Sequence, residues 1–162
     1  MMSSLSTDRD TIGIALGRIP SGCSILTATH DGKSTGLLIS WVQQASFEPL
    51  MLTVCIKEER PATKLIAGSG RFLLNLIGED PTAMFKHFGK GFTLDDDAFV
   101  GLTTHPTDFG PALEDCIACL GCQVKSKVAG GDHDIYLAEI MAGQGGKDLN
   151  PYTHIRGSGL SY

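Results

Sequence analysis

The sequence has no apolar run near the roughly 20 residues that a membrane-spanning helix requires. Met1 to Asp10 is polar and lacks the charged-then-apolar order of a signal peptide. There is no long basic run, and a net charge of -5 argues against a nucleic-acid footprint. HExxH spacing, a G-x-S-x-G elbow, a P-loop and the glycine signature of a dinucleotide fold are all missing. These absences disfavour hydrolase, kinase and dinucleotide-fold dehydrogenase chemistry. They predict a cytoplasmic protein with neither nucleic acid nor membrane among its partners. The five histidines, at 30, 87, 105, 133 and 154, are scattered, so no catalytic metal is expected.

Cysteine is sparse too. Five in 162 residues, an odd number, point to reduced thiols rather than a disulfide framework. Cys116-x-x-Cys119-x-x-Cys122 copies three ligands of an iron-sulfur run, but the fourth position is Ser126. The segment also reads as a strand, on which Cys116 and Cys122 face one way and Cys119 the other. Three thiols so arranged do not converge on one metal.

What is present describes a globular chain, 42% hydrophobic and 19% charged, with twenty glycines for turns and bulges. Its length fits a single domain over 1–162, able to bury about two thirds of its unfolded surface. Asp8 to Arg18 begins with an acidic cap and carries Ile12 and Leu16 four apart, which predicts a short amphipathic helix ended by Gly17. Cys23 to Thr29 and Lys33 to Ser40 are β-rich runs around Asp31-Gly32, a strong hairpin signal. Strands are also expected at Met51 to Ile56, Arg71 to Ile77, Glu114 to Lys127 and Asp134 to Met141. Pro61 to Ala67 has Pro in its first turn and Gly68 beyond its end, and Asp80-Pro81 opens another helix with Met84, Phe85 and Phe88 on one face. Residues 90–112 show no period and read as an irregular excursion of the kind that often covers a site.

Many short strands with few helices predict a mainly β, antiparallel Greek-key barrel rather than a parallel sheet. A barrel of this size is filled by its own side chains. A ligand is then expected on the outer wall or at a subunit boundary, and a homodimer with it.

The segment from Gly36 to Arg60 is the richest in chemistry. An apolar strand breaks into a polar loop closed by Pro49, followed by the buried run Met51 to Ile56 and then Lys57-Glu58-Glu59-Arg60. Donors from Ser40, Gln43, Gln44 and Ser46, the flat indole of Trp41, and two cations make a cleft for a nucleotide-type cofactor with an anionic tail. Each group also has a plainer reading: a solvated loop, an interface or core tryptophan, a surface charge cluster.

Five motifs then stand in order: Ala15-Leu16-Gly17-Arg18, Ser40-Trp41-Val42-x-Gln44-Ala45-Ser46-Phe47-x-Pro49, Lys86-His87-Phe88, Gly131-Asp132-His133, and His154-x-Arg156-x-Ser158-Gly159-x-x-Tyr162. Together they resemble the flavin reductase family of FMN-binding split barrels, and within it the C-terminal flavin reductase module of flavodiiron proteins. The resemblance implies a homodimer that binds FMN or FAD and takes hydride from NADH or NADPH. Electrons would go on to free flavin, iron, a monooxygenase partner or a diiron unit. It further implies that Leu38, Ile39, Ser40, Trp41, Gln43, Gln44 and Ser46 contact the flavin, that Cys55, Ile56 and Lys57 continue that wall, and that Arg60 faces the phosphate. Phe88, Asp132 and Arg156 join the cofactor-binding set, and His133 is the residue expected to contact the nicotinamide or handle the accompanying proton. The chain departs from the usual Thr-Ala-Asn-Ser-Phe loop, with Leu38-Ile39-Ser40-Trp41-Val42 in its place, and carries Arg60 where Ser is common. Backbone groups and Ser40 are left to meet the ring.

The expected function is therefore an NAD(P)H-dependent flavin reductase. Two alternatives use the same residues: a flavin-binding electron carrier without its own pyridine-nucleotide site, and an interaction module whose flavin site has decayed.

Overall fold

In the computed structural model of the chain, residues 4–162 are described; Met1 to Ser3 lie outside them. The Asp8 carboxylate accepts from the Thr11 amide at 2.9 Å and so caps helix α1 (Arg9–Leu16), which gives way at Gly17. Ile12 and Leu16 do not face the core as their spacing suggested. They are 44% and 41% exposed, and the buried position of α1 is Gly13. The reason is steric: the C-terminal tail runs across this face, and a Cβ on Gly17 would stand 2.6 Å from the Arg156 carbonyl oxygen.

β1 (Ser21–Gly22) leads into the hairpin of β2 (Ser24–His30) and β3 (Lys33–Ile39). Asp31 and Gly32, at φ 49° and 73°, make the turn, as the Asp-Gly signal required. β4 (Val42–Phe47) and β5 (Leu50–Lys57) form a second hairpin. Residues 42–47, expected as a polar loop, are thus an edge strand, whose solvated faces account for its polar side chains.

Pro61 starts α2 (Pro61–Ser69) at its first position. The helix runs past Gly68, where the His30 ring leaves no room for a Cβ, and stops at Gly70 with φ 70°. β6 (Arg71–Leu76) and α3 (Thr82–Phe88) follow. α3 lies on β3 because Gly36 lets the Phe88 ring reach the strand backbone. The excursion over 90–112 carries only the short strand β7 (Thr104–His105) before β8 (Ala112–Leu113). Buried Asn75 ties it down, donating to the Ile25 carbonyl at 3.1 Å and accepting from the Leu113 amide at 2.8 Å. The long hairpin of β9 (Ala118–Ala129) and β10 (His133–Gly145) completes the sheet, and β11 (Thr153–His154) pairs back onto β1. Cys116 precedes β9 instead of lying on it, and Cys122 sits in the main core apart from Cys119.

The main sheet has seven strands in the order β3-β2-β6-β9-β10-β5-β4, all antiparallel. Its two edge strands, β3 and β4, are joined by Ser40 and Trp41 alone. Two residues reach only about 7–10 Å, so the sheet must curl until its edges meet at that point. Leu26, Val54, Ile56, Phe72, Leu74, Tyr136 and Ala138 fill the interior. Each large apolar side chain among them contributes about 1.5–3 kcal/mol by leaving water. Among the described residues no helix is long and apolar enough to cross a membrane.

Candidate functional site

A cavity of about 340 Å³ opens where the edges of the sheet meet. The end of β3 supplies Leu37, Leu38 and Ile39, the connection supplies Ser40 and Trp41, and the end of β5 supplies Cys55, Ile56 and Lys57. Phe85 and Phe88 of α3 form the facing wall, with Gly89 and Gly91 beyond them and His154 and Tyr162 of the tail closing over. The walls stay in place through ladder bonds, among them the Cys55 amide donating to the Trp41 carbonyl at 3.0 Å. The volume and mostly apolar lining are those of a small-molecule site.

Charge is confined to one end. Arg60 is the residue before Pro61 at the start of α2, and its guanidinium reaches toward the loop after α3, where a Cβ on Gly91 would lie 3.9 Å from Nη1. Neither Arg60 nor Lys57 forms an ion pair among the described residues. A forked cation beside a helix N-terminus suits a phosphate. Cys55, by contrast, stays a neutral thiol, since burial pushes its pKa up.

A second cavity, of about 420 Å³, shares Trp41, Lys57 and Tyr162 with the first. It is lined as well by Arg9, Asp132, His133, Arg156 and the tail from Gly159. Asp132 Oδ1 lies 2.7 Å from His133 Nδ1, and the hydrogen bond from His133 holds the Asp132 carboxyl below its usual range. Because a carboxylate only accepts, Nδ1 carries a proton, and Nε2 is hydrogen-bonded to the Tyr162 hydroxyl, its other partner. The His133 ring is 4.8 Å from the Trp41 ring, and the Arg156 guanidinium lies over that indole at 5.3 Å.

Of the expected site residues, Leu38, Ile39, Ser40, Trp41, Cys55, Ile56, Lys57, Arg60 and Phe88 come together in the first cavity. Phe88 is also a core residue, 2% exposed. Asp132, His133 and Arg156 line the second cavity instead. Gln43, Gln44 and Ser46 line neither. They lie on the edge strand β4, where Gln43 borders a separate recess and the Gln44 amide turns to the Ser46 carbonyl at 3.5 Å. Residues 42–47 were expected as a loop; as a strand the segment leads away from the first cavity. Cys23, Leu37, Phe85, Gly89, Gly91, His154 and Tyr162 complete the lining and were not singled out as site residues. Only the terminal His154-to-Tyr162 motif signalled the last two.

A flat, apolar slot with donors at Ser40 and an unneutralised cationic end fits a heteroaromatic ring carrying a phosphate. His154 Nδ1 and Arg156 Nη1 are buried without hydrogen-bond partners among the described residues, as befits polar groups near a polar ligand. The comparisons agree with that chemistry. Residues 16–159 match the profile described as flavin reductase like domain. The chain is 33% identical over 142 residues to the 4-nitrophenol 4-monooxygenase/4-nitrocatechol 2-monooxygenase reductase component of Rhodococcus opacus, covering 88% of this chain and 75% of that protein. It is 35% identical over 145 residues to diflavin flavoprotein A 1 of Synechocystis sp., covering 88% of this chain but 25% of the relative. The chain thus spans about a quarter of the length of the diflavin flavoproteins it matches. Among solved structures, nitrilotriacetate monooxygenase component B from Mycobacterium thermoresistibile superposes with a TM-score of 0.78 at 26% identity, covering 89% of this chain and 80% of that one.

Proposed function

The chain belongs to the flavin reductase like domain family, and from that premise we propose that it is an FMN-binding NAD(P)H:flavin oxidoreductase, one domain that passes electrons on to flavin, iron or a protein acceptor. The observation that carries this reading is the first cavity, apolar along its length and cationic only at Arg60 and Lys57. FMN, or FAD by the same phosphate, would supply a ring that accepts hydride and releases electrons to the next carrier.

The chain's own residues hold and orient. Leu38, Ile39 and Phe88 present an apolar wall, Ser40 and the neighbouring backbone offer donors to the ring's polar edge, and Arg60 binds the phosphate. Tyr162, which lines both cavities, presents a hydroxyl next to the ring site. His133 acts one step behind it, oriented by Asp132 and hydrogen-bonded to the Tyr162 hydroxyl. Apolar walls and the tail exclude water, which favours the close approach of nicotinamide that hydride transfer needs, about 3–3.5 Å.

The homodimer belongs to the same proposal. Ile12, Ile14, Leu16 and Ile19 are 41–63% exposed, and Ile155 is 66% exposed. Apolar surface of this extent is usually covered by a partner. Light scattering gives the mass directly.

The test of function is the anaerobic absorption spectrum of protein reconstituted with FMN, before and after NADH or NADPH. Uptake of FMN and bleaching by a nucleotide are expected. FMN uptake with bleaching by dithionite alone would favour the electron-carrier alternative, and failure to take up FMN would overturn both.

A further inference from the structure

The second cavity gathers positive charge. Arg9 from α1, Lys57 from β5 and Arg156 from the tail all line it. None of the three forms an ion pair among the described residues, whereas Lys33, Lys125, Lys127 and Lys147 do. The cavity's acidic residue, Asp132, is occupied by His133 at 2.7 Å. Such a cluster, in a chain of net charge -5, is held against its own repulsion, and a bound anion relieves it. Arg156 Nη1 is in addition a buried donor without a partner.

Resting on the flavin-reduction reading above, we propose that this cavity holds the phosphates of the nicotinamide nucleotide and selects NADPH over NADH through the 2′-phosphate. The two cavities share Trp41, Lys57 and Tyr162 as a common wall. A nucleotide whose nicotinamide enters the first cavity therefore places its phosphates in the second. A diphosphate bridge is met by two cations. Lys57 is part of the shared wall, and Arg156 lies over the Trp41 ring of that wall. Arg9, at the start of α1, lines the second cavity and not the first, so it is surplus for NADH and available to an additional phosphate dianion. Arginine's fork suits that group better than a solvated lysine would.

Trp41 is the chain's one tryptophan and lines this cavity, so its fluorescence reports occupancy without any flavin present. Titration of the full chain with adenosine 2′,5′-bisphosphate, against adenosine 5′-monophosphate, should give binding about tenfold or more tighter for the bisphosphate. The advantage should shrink as salt is raised. Arg9→Ala should erase most of it, and Arg9→Glu should abolish it. In the FMN-loaded protein the ratio of kcat/KM for NADPH to that for NADH should fall in parallel, about tenfold in Arg9→Ala. Equal binding of the two probes, or a preference that survives Arg9→Glu, would overturn the proposal while leaving flavin reduction intact if FMN uptake and bleaching still occur. Failure of the wild-type chain to take up FMN would remove the function on which the proposal rests.

Discussion

The Tyr162 hydroxyl is hydrogen-bonded to Nε2 of His133, and that contact ties the C-terminal tail to the start of β10 beside Trp41. It turns Asp132, His133 and Tyr162 into a line of hydrogen bonds that ends at the cavity in which the flavin is proposed to lie. Tyr162→Phe keeps the ring and removes the bond. FMN binding should be nearly unchanged, while the stopped-flow rate of flavin reduction should fall about tenfold, the worth of one well-placed hydrogen bond. A rate equal to wild type would mean that the tail only covers the site.

Cys55 lines the proposed flavin cavity and is half-buried, as is Cys116, whereas Cys23, Cys119 and Cys122 are buried. Near pH 8, native protein should react with a thiol reagent at Cys55 and Cys116 well before the other three. Prior loading with FMN should protect Cys55 and leave Cys116 unaffected. Peptide mapping of the labelled protein reads both outcomes.

Gly17 sits under the Arg156 carbonyl, which is main chain and cannot rotate away. Gly17→Ala should therefore push the tail off α1, costing about 1–3 kcal/mol by the usual penalty for overpacking. Thermal unfolding should show the loss, and Trp41 fluorescence should shift as Arg156 and Tyr162 move from the indole. Gly32→Ala meets no neighbouring atom and differs in kind, straining only the φ of 73° at the hairpin turn.

Burial pushes the Cys122 thiol up to about 12 and the Cys23 thiol up to about 11. An unfolded chain ionises both near pH 8.5. Above that pH the unfolded state has lost protons that the folded state keeps, so stability is whole below about 8.5 and falls as pH rises toward the folded values. The slope is about 1.4 kcal/mol per pH unit for each thiol. Denaturant unfolding between neutral and alkaline pH should show this decline, and Cys122→Ala, although less stable throughout, should show a shallower one.

Much of this architecture was legible because local chemistry and tertiary packing agree. Asp31-Gly32 turns, Pro61 starts a helix, and the run Met51 to Ile56 forms the middle of β5, although only its alternate residues Leu52, Val54 and Ile56 are buried. The errors share a cause: residues whose role is set by a distant segment. Gly68 looks like a helix stop, but its missing Cβ makes room for His30, and Gly70 with its left-handed φ ends the helix. Ile12 and Leu16 have core spacing, yet Gly13 takes the inner face because the tail, more than 140 residues later, packs there. Residues 42–47 read as a loop because an edge strand wet on both sides has the composition of a loop. In the site, the wall from Leu38 to Trp41 and the Lys57–Arg60 end followed from contiguous sequence and the family resemblance. The contribution of Tyr162 did not, since only folding brings that ring to His133.

The central claim is that Arg60 holds the phosphate of a flavin lying along Trp41. FMN titration followed by flavin fluorescence, on wild type and Arg60→Ala side by side, tests it most directly. Saturable quenching by wild type is predicted, with affinity about tenfold to a hundredfold weaker in the variant, the cost of one charged hydrogen-bonding partner. Riboflavin, which lacks the phosphate, should bind both proteins alike. Absence of FMN binding to wild type, or equal FMN affinity in the two proteins, would contradict the account.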